Sequence, residues 1–149
     1  MMIDEDTGMK PATPWHLWLV GALAVLWNAM GAYGNVMTLM QNEAHFAQLT
    51  PEQVELFTTM PIWAASAYAI ATWAALLGSI LLLIKSRFAT VMFGVSLVGM
   101  IISFFHNFAL AGAGSVMNAS QLVFTAAIMI IALALFLYAR AMANRGVLG

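Results

Sequence analysis

The chain has 149 residues, 63% of them hydrophobic and 7% charged, with a mean hydropathy of +0.91 and a formal net charge of −1. A soluble domain carries about 25% charged residues, so this composition excludes a water-facing globule and points to an integral membrane protein. The slight acidity argues against a nucleic-acid partner, which needs a basic face to release counterions. The absence of cysteine excludes disulfides, thiolate metal sites and thiol nucleophiles.

Residues 1–12 are polar, with Asp4, Glu5 and Asp6 set against Lys10, and they read as a loose cytoplasmic tail. An export signal starts basic and has an apolar core of about 7–15 residues. Here the start is acidic and the apolar run that follows is longer, so it is expected to stay as the first membrane helix. Thr13-Pro14 reads as an N-cap followed by proline at the first helical position. Residues 15–40 then contain no Asp, Glu, Lys or Arg, and Trp15 and Trp18 stand where an aromatic belt anchors a span. This span exceeds the ~20 residues needed to cross a bilayer, which predicts tilt or projection.

Residues 43–60 form an acidic loop holding Glu43, His45, Glu52 and Glu55. Thr50-Pro51-Glu52-Gln53 is a helix start with a capping threonine, proline next and glutamine three residues after the cap. Over residues 51–60 the apolar Val54, Leu56, Phe57 and Met60 share one side, opposite Glu52, Glu55, Thr58 and Thr59. Only Gln53 is out of place. A short amphipathic helix at the membrane interface is expected.

The second span covers residues 62–84 and the third 88–110. Together they form a charge-free hairpin around Lys85-Ser86-Arg87. A charge at the centre of a membrane helix costs at least ~2.5 kcal/mol, so charge-free arms around a basic turn suit a hairpin through the bilayer. Residues 112–118 are a Gly- and Ala-rich turn, and the fourth span covers 119–142. Lys10, Lys85, Arg87, Arg140 and Arg145 are the five basic residues, and four crossings put all five on one side. The positive-inside rule then makes both termini and the central turn cytoplasmic, in a bacterial inner membrane, with the acidic loop outside. The expected fold is an all-α integral membrane four-helix bundle, up-down-up-down, in a single domain.

Polar residues fall in stripes. Gly21, Ala24, Asn28, Gly31, Asn35, Thr38 and Asn42 share one face of the first span, leaving Leu19, Leu23, Leu26 and Met30 toward lipid. The third span repeats this with Ser96, Gly99, Ser103, His106 and Asn107, the second with Tyr68, Thr72 and Ser79, and the fourth with Asn118, Gln121 and Thr125. At a rise of ~1.5 Å per residue, the polar groups concentrate in the outer half. Asn35, Tyr68, His106, Asn107 and Gln121 form the candidate ligand-binding set, in a pocket opening outward. The plainer reading is packing, since polar contacts between membrane helices are worth ~0.6 kcal/mol on average. Asn28, lying deepest, is the clearest packing residue.

The spans carry no carboxylate for a proton relay, and no nucleophile elbow, metalloprotease or phosphate-loop motif occurs. Enzyme chemistry is therefore not expected. His45 and Glu43 folded over His106 would be one route to a metal or haem site, but no histidine pair stands at helical spacing, and no cofactor or metal is expected.

Three segments carry a resemblance: Pro14-Trp15-His16-Leu17-Trp18, Trp27-Asn28-Ala29-Met30-Gly31-Ala32 and Phe46-Ala47-Gln48-Leu49-Thr50-Pro51-Glu52-Gln53. With the closing Tyr138-Ala139-Arg140-Ala141-Met142-Ala143, the chain resembles a family of short four-span proteobacterial membrane proteins. These are generally called hypothetical and sometimes labelled sugar transporter. Members often have an acidic-aromatic pair after Gly-Ala in the first span, where this chain has Tyr33-Gly34-Asn35. Two functions follow as expectations. The first is a carrier or binding protein for a small neutral, sugar-like solute, as a homo-oligomer, because four spans make a thin bundle. The second is an accessory subunit or assembly factor of a larger membrane complex, docking a partner helix on the small-residue stripe Ala67, Ala71, Ala75 and Gly78.

Overall fold

Prolines set where the first two long helices begin. Pro14 and Pro61 each hold an extended backbone (ψ 142° and 153°) immediately before a helix, the conformation of an N-cap residue. Pro14 therefore occupies the cap position assigned to Thr13 from sequence, and the Thr13 hydroxyl instead accepts from Lys85 Nζ at 3.4 Å. The computed structural model describes residues 11–149, Val116 without its side chain, so the tail expected over residues 1–12 lies outside the described residues up to Lys10.

The elements in chain order are α1 (Trp15–Leu39), α2 (Glu43–Phe46), α3 (Pro51–Thr58), α4 (Ile62–Leu83), α5 (Phe88–Phe104), a π-helical segment (Phe105–Leu110), α6 (Ala113–Val116) and α7 (Ala119–Asn144). Four helices are long and apolar enough to cross a membrane: α1, α4, α5 with its π extension, and α7. This is an all-α, four-helix membrane protein. The short α2 and α6 lie within the stretches expected as acidic loop and Gly- and Ala-rich turn.

Local chemistry accounts for the ends. Thr50 Oγ1 accepts from the Gln53 N–H, and Gln53 Oε1 accepts from the Thr50 N–H at 3.1 Å. This reciprocal pair explains why Gln53 is buried on the wrong side of an amphipathic helix. Three helices end in the same reverse turn. Gln41, Lys85 and Gly146 take positive φ (49°, 58° and 75°), and the next residue's N–H bonds back to Met37, Leu81 and Met142 respectively. After Gly146 the chain folds under the bundle, burying Val147 and Leu148 and pairing Gly149 with the backbone of Lys85 and Arg87.

α1 packs on α4, α4 on α5, and α5 on α7. The α4/α5 contact is the closest, because small residues let the backbones meet. A methyl on Gly99 would stand 2.8 Å from the Ala67 carbonyl oxygen, and one on Gly78 3.1 Å from the Phe93 ring. The stripe Ala67, Ala71, Ala75 and Gly78 is thus buried within this chain; it is not the open docking face that the accessory-subunit expectation used. At the end carrying Lys85, Arg87, Arg140 and Arg145, all four spans converge on a dry cluster around Leu17, Leu82, Phe93, Leu135 and Met142. Leu19, Leu23, Leu26 and Met30 face outward, as the stripe on α1 requires. At the opposite end α3 rests on α6, so the amphipathic helix caps the bundle as well as presenting its acidic side outward.

Candidate functional site

Above the dry cluster the spans separate. A cavity of about 300 Å³ lies between them, walled by residues of α1, α4, α5, the π segment and α7. Its polar groups are Asn28, Tyr68, Thr72, Ser96, Ser103 and Asn107, and none of its lining residues is charged. Apolar side chains supply the rest, with Phe93, Met100, Phe104, Ile128 and Leu135 among them. Toward the acidic loop a smaller vestibule of about 140 Å³ is bounded by Asn35, Thr38, Gln41, Phe57 and Thr58. Tyr68 belongs to both walls and divides the two spaces.

The polar lining is satisfied unevenly. Asn28 Nδ2 donates to Ser79 Oγ at 2.8 Å, and Ser79 Oγ donates to the Ala75 carbonyl at 2.8 Å. Thr72 Oγ1 donates to the Tyr68 carbonyl at 2.9 Å. Ser96 and Ser103, each 2% exposed, have hydroxyls without a hydrogen-bond partner among the described residues. A buried hydroxyl left unpaired costs about 1–3 kcal/mol, and these two oxygens, like Thr90 Oγ1, are closed off by their neighbours and do not open into the cavity.

The five residues singled out from sequence do not share a pocket. Tyr68 and Asn107 line the cavity. Asn35 is buried on the vestibule side, its Oδ1 accepting from Trp73 Nε1 at 3.3 Å. His106 lies in the π segment beneath the edge of Trp63, ring centroids 5.2 Å apart and nearly perpendicular. Its Nδ1 is 3.2 Å from Asn107 Oδ1, a contact that requires Nδ1 to carry the proton. Gln121 caps α7: its Oε1 accepts from the Asn118 N–H at 3.0 Å, and its N–H donates to Asn118 Oδ1 at 2.9 Å.

The neighbours His106 and Asn107 both lie in the π segment and, as consecutive helical residues do, point about 100° apart. The Ala111 N–H reaches back five residues to the His106 carbonyl at 2.9 Å, and such wide turns recur at functional sites. His106 is directed to α4 while Asn107 reaches the cavity. Residues that sequence reasoning did not place in a site are Asn28, Thr72, Ser96 and Ser103, together with the aromatics Trp27 and Phe124. The available signal was the seven-residue spacing of Ser96 and Ser103 on a face otherwise made for packing.

His45 sits beside Thr38, Nε2 to Oγ1 3.3 Å, and far from the setting of His106 under Trp63. Among the described residues no three His, Asp or Glu side chains gather as a metal site. Comparison of the chain with protein-family models, curated proteins and solved structures finds no match.

Proposed function

We propose that this small integral membrane protein holds a small neutral molecule in the cavity among its four spans, as a binding protein or carrier. The supporting observation is an internal space whose lining is uncharged yet carries the side chains of Tyr68, Thr72 and Asn107. An ion there would meet no counter-charge and would lose its hydration at a large penalty. A neutral molecule with a hydroxyl or carbonyl suits an apolar space with a few uncharged polar side chains on its wall. The cavity's volume is at the low end of the ~300–1,000 Å³ usual for ligand sites.

The "sugar transporter" label attached to some proteins this chain resembles agrees on neutrality. The lining favours a less hydroxylated ligand, since a sugar would set several hydroxyls against Phe93, Met100, Ile128 and Leu135. Orientation follows from charge: Lys85, Arg87, Arg140 and Arg145 face the cytoplasm of an inner membrane, and the vestibule faces out. A carrier would work as a homo-oligomer, because one thin bundle gives little room for two gates. The test is a thermal-stabilisation panel of neutral solutes on purified protein, with the double variant Tyr68→Phe/Asn107→Ala alongside. Stabilisation by a solute that the double variant fails to bind supports the reading; a flat response across the panel from folded protein removes it.

A further inference from the structure

The cavity is closed by α1 against α4 and α4 against α5, more loosely by α5 against α7, and on its fourth side by a seam. α1 and α7 scarcely meet along their lengths. They touch where His16 Nδ1 meets the Tyr138 hydroxyl, and again where Trp27 meets Phe124, ring centroids 5.8 Å apart. Met30 and Phe124 line the cavity yet are 70% and 57% exposed, so the cavity wall here is also the outer surface of the bundle. Trp27 is the middle residue of α1, which places the seam within the apolar spans and not at their ends. In a bilayer that surface faces acyl chains.

We propose that the cavity exchanges its ligand sideways with the bilayer, through the α1/α7 seam between Trp27 and Phe124, and that the ligand is a neutral membrane-dissolved amphiphile. Its polar end is a hydroxyl or carbonyl and its body an apolar chain or ring system. This rests on the ligand-binding reading and narrows it. A water-soluble solute would have to cross hydrocarbon to reach the seam, whereas an amphiphile is already concentrated there. The wall chemistry fits the same class: Tyr68 and Asn107 are polar side chains for the polar end, and Met100, Phe104 and Ile128 cover the body. A chain longer than the cavity leaves through the seam into lipid without strain. The vestibule is the competing route, and Tyr68 stands between it and the cavity.

The natural chain has no cysteine, so Trp27→Cys/Phe124→Cys gives a single thiol pair that a short bis-methanethiosulfonate closes across the seam. The probe is hexadecanol carrying a diazirine, photolysed in phosphatidylcholine proteoliposomes, with labelled residues mapped by mass spectrometry. The expected result is label on Met100 and Ile128 that excess unlabelled hexadecanol suppresses, in both the natural chain and the open double variant. Crosslinking before the probe is added should abolish that inner label and leave label on lipid-facing Leu23 and Val98 unchanged. Inner label that survives crosslinking overturns the lateral route and leaves the binding site standing. Extracts of the same preparation separate the remaining cases. A bound water-soluble molecule without inner label overturns the amphiphile class alone; no bound molecule and no inner label overturn the binding reading with it.

Discussion

Asn28 and Ser79 are joined by a 2.8 Å hydrogen bond across the α1/α4 interface, and Ser79 passes its own proton to the Ala75 carbonyl. One amide thereby links two spans just below the cavity while its residue also forms part of the cavity wall. The bond holds α1 against α4 while its other neighbour, α7, stands off. Asn28 thus makes the inter-span bond expected of a packing residue and also lines the cavity.

A double-mutant cycle measures that bond. Asn28→Ala and Ser79→Ala should each destabilise the fold, with a coupling of about 0.6 kcal/mol and at most ~1.7 kcal/mol, the range for hydrogen bonds between membrane helices. The readout is reversible unfolding in mixed micelles. Strictly additive losses would mean that the two side chains do not share a bond in the membrane.

Gly99 sets the α4/α5 distance. Gly99→Ala drives a methyl against the Ala67 carbonyl oxygen and the Ala71 side chain, so it should cost about 1–3 kcal/mol, as overpacking does. Gly34→Ala is the control, because nothing lies within 4 Å of the added carbon. It should be neutral or stabilising by up to ~1 kcal/mol through helix propensity. Thermal unfolding in detergent compares the two directly.

The tail under the basic end depends on one backbone conformation. Gly146 holds φ at 75°, where a β-carbon costs about 1–2 kcal/mol. Gly146→Ala should lower stability by roughly that amount and release the chain after it, exposing Val147 and Leu148. Carboxypeptidase trimming of the variant, against a resistant natural chain, reads the release.

Gln121 and Asn107 should part company. Gln121→Ala removes one half of the α7 capping box and should cost about 0.5–1 kcal/mol of stability while leaving ligand affinity unchanged. Asn107→Ala faces the cavity and should weaken ligand binding. Equal effects of both on binding would return Gln121 to the site.

How much of this was legible in the residues depends on the distance over which each feature is decided. The spans and their ends are local, fixed by charge-free runs, by Pro14 and Pro61, and by Thr50 with Gln53. The lipid face of α1 is a periodicity of its own sequence. Gln121 was grouped with a ligand set, and Asn118-x-x-Gln121 also fits the capping box that it forms here, the backbone donors at a helix start being the nearer partners. The stripe on α4 announced a close helix contact, but its period does not say whether the partner is α5 or another protein. The π turn that holds His106 and Asn107 has no residue signature. The seam between α1 and α7 is an absence of packing, which no single helix encodes.

Native mass spectrometry of the protein released from nanodiscs tests the occupied cavity most directly. The natural chain should retain one uncharged small molecule per protomer, and Met100→Trp, which fills the cavity, should lose it while unfolding at a similar temperature. A natural chain that always flies at its bare mass, or a folded Met100→Trp protein that keeps the same bound mass, contradicts the assignment of this cavity as the binding site.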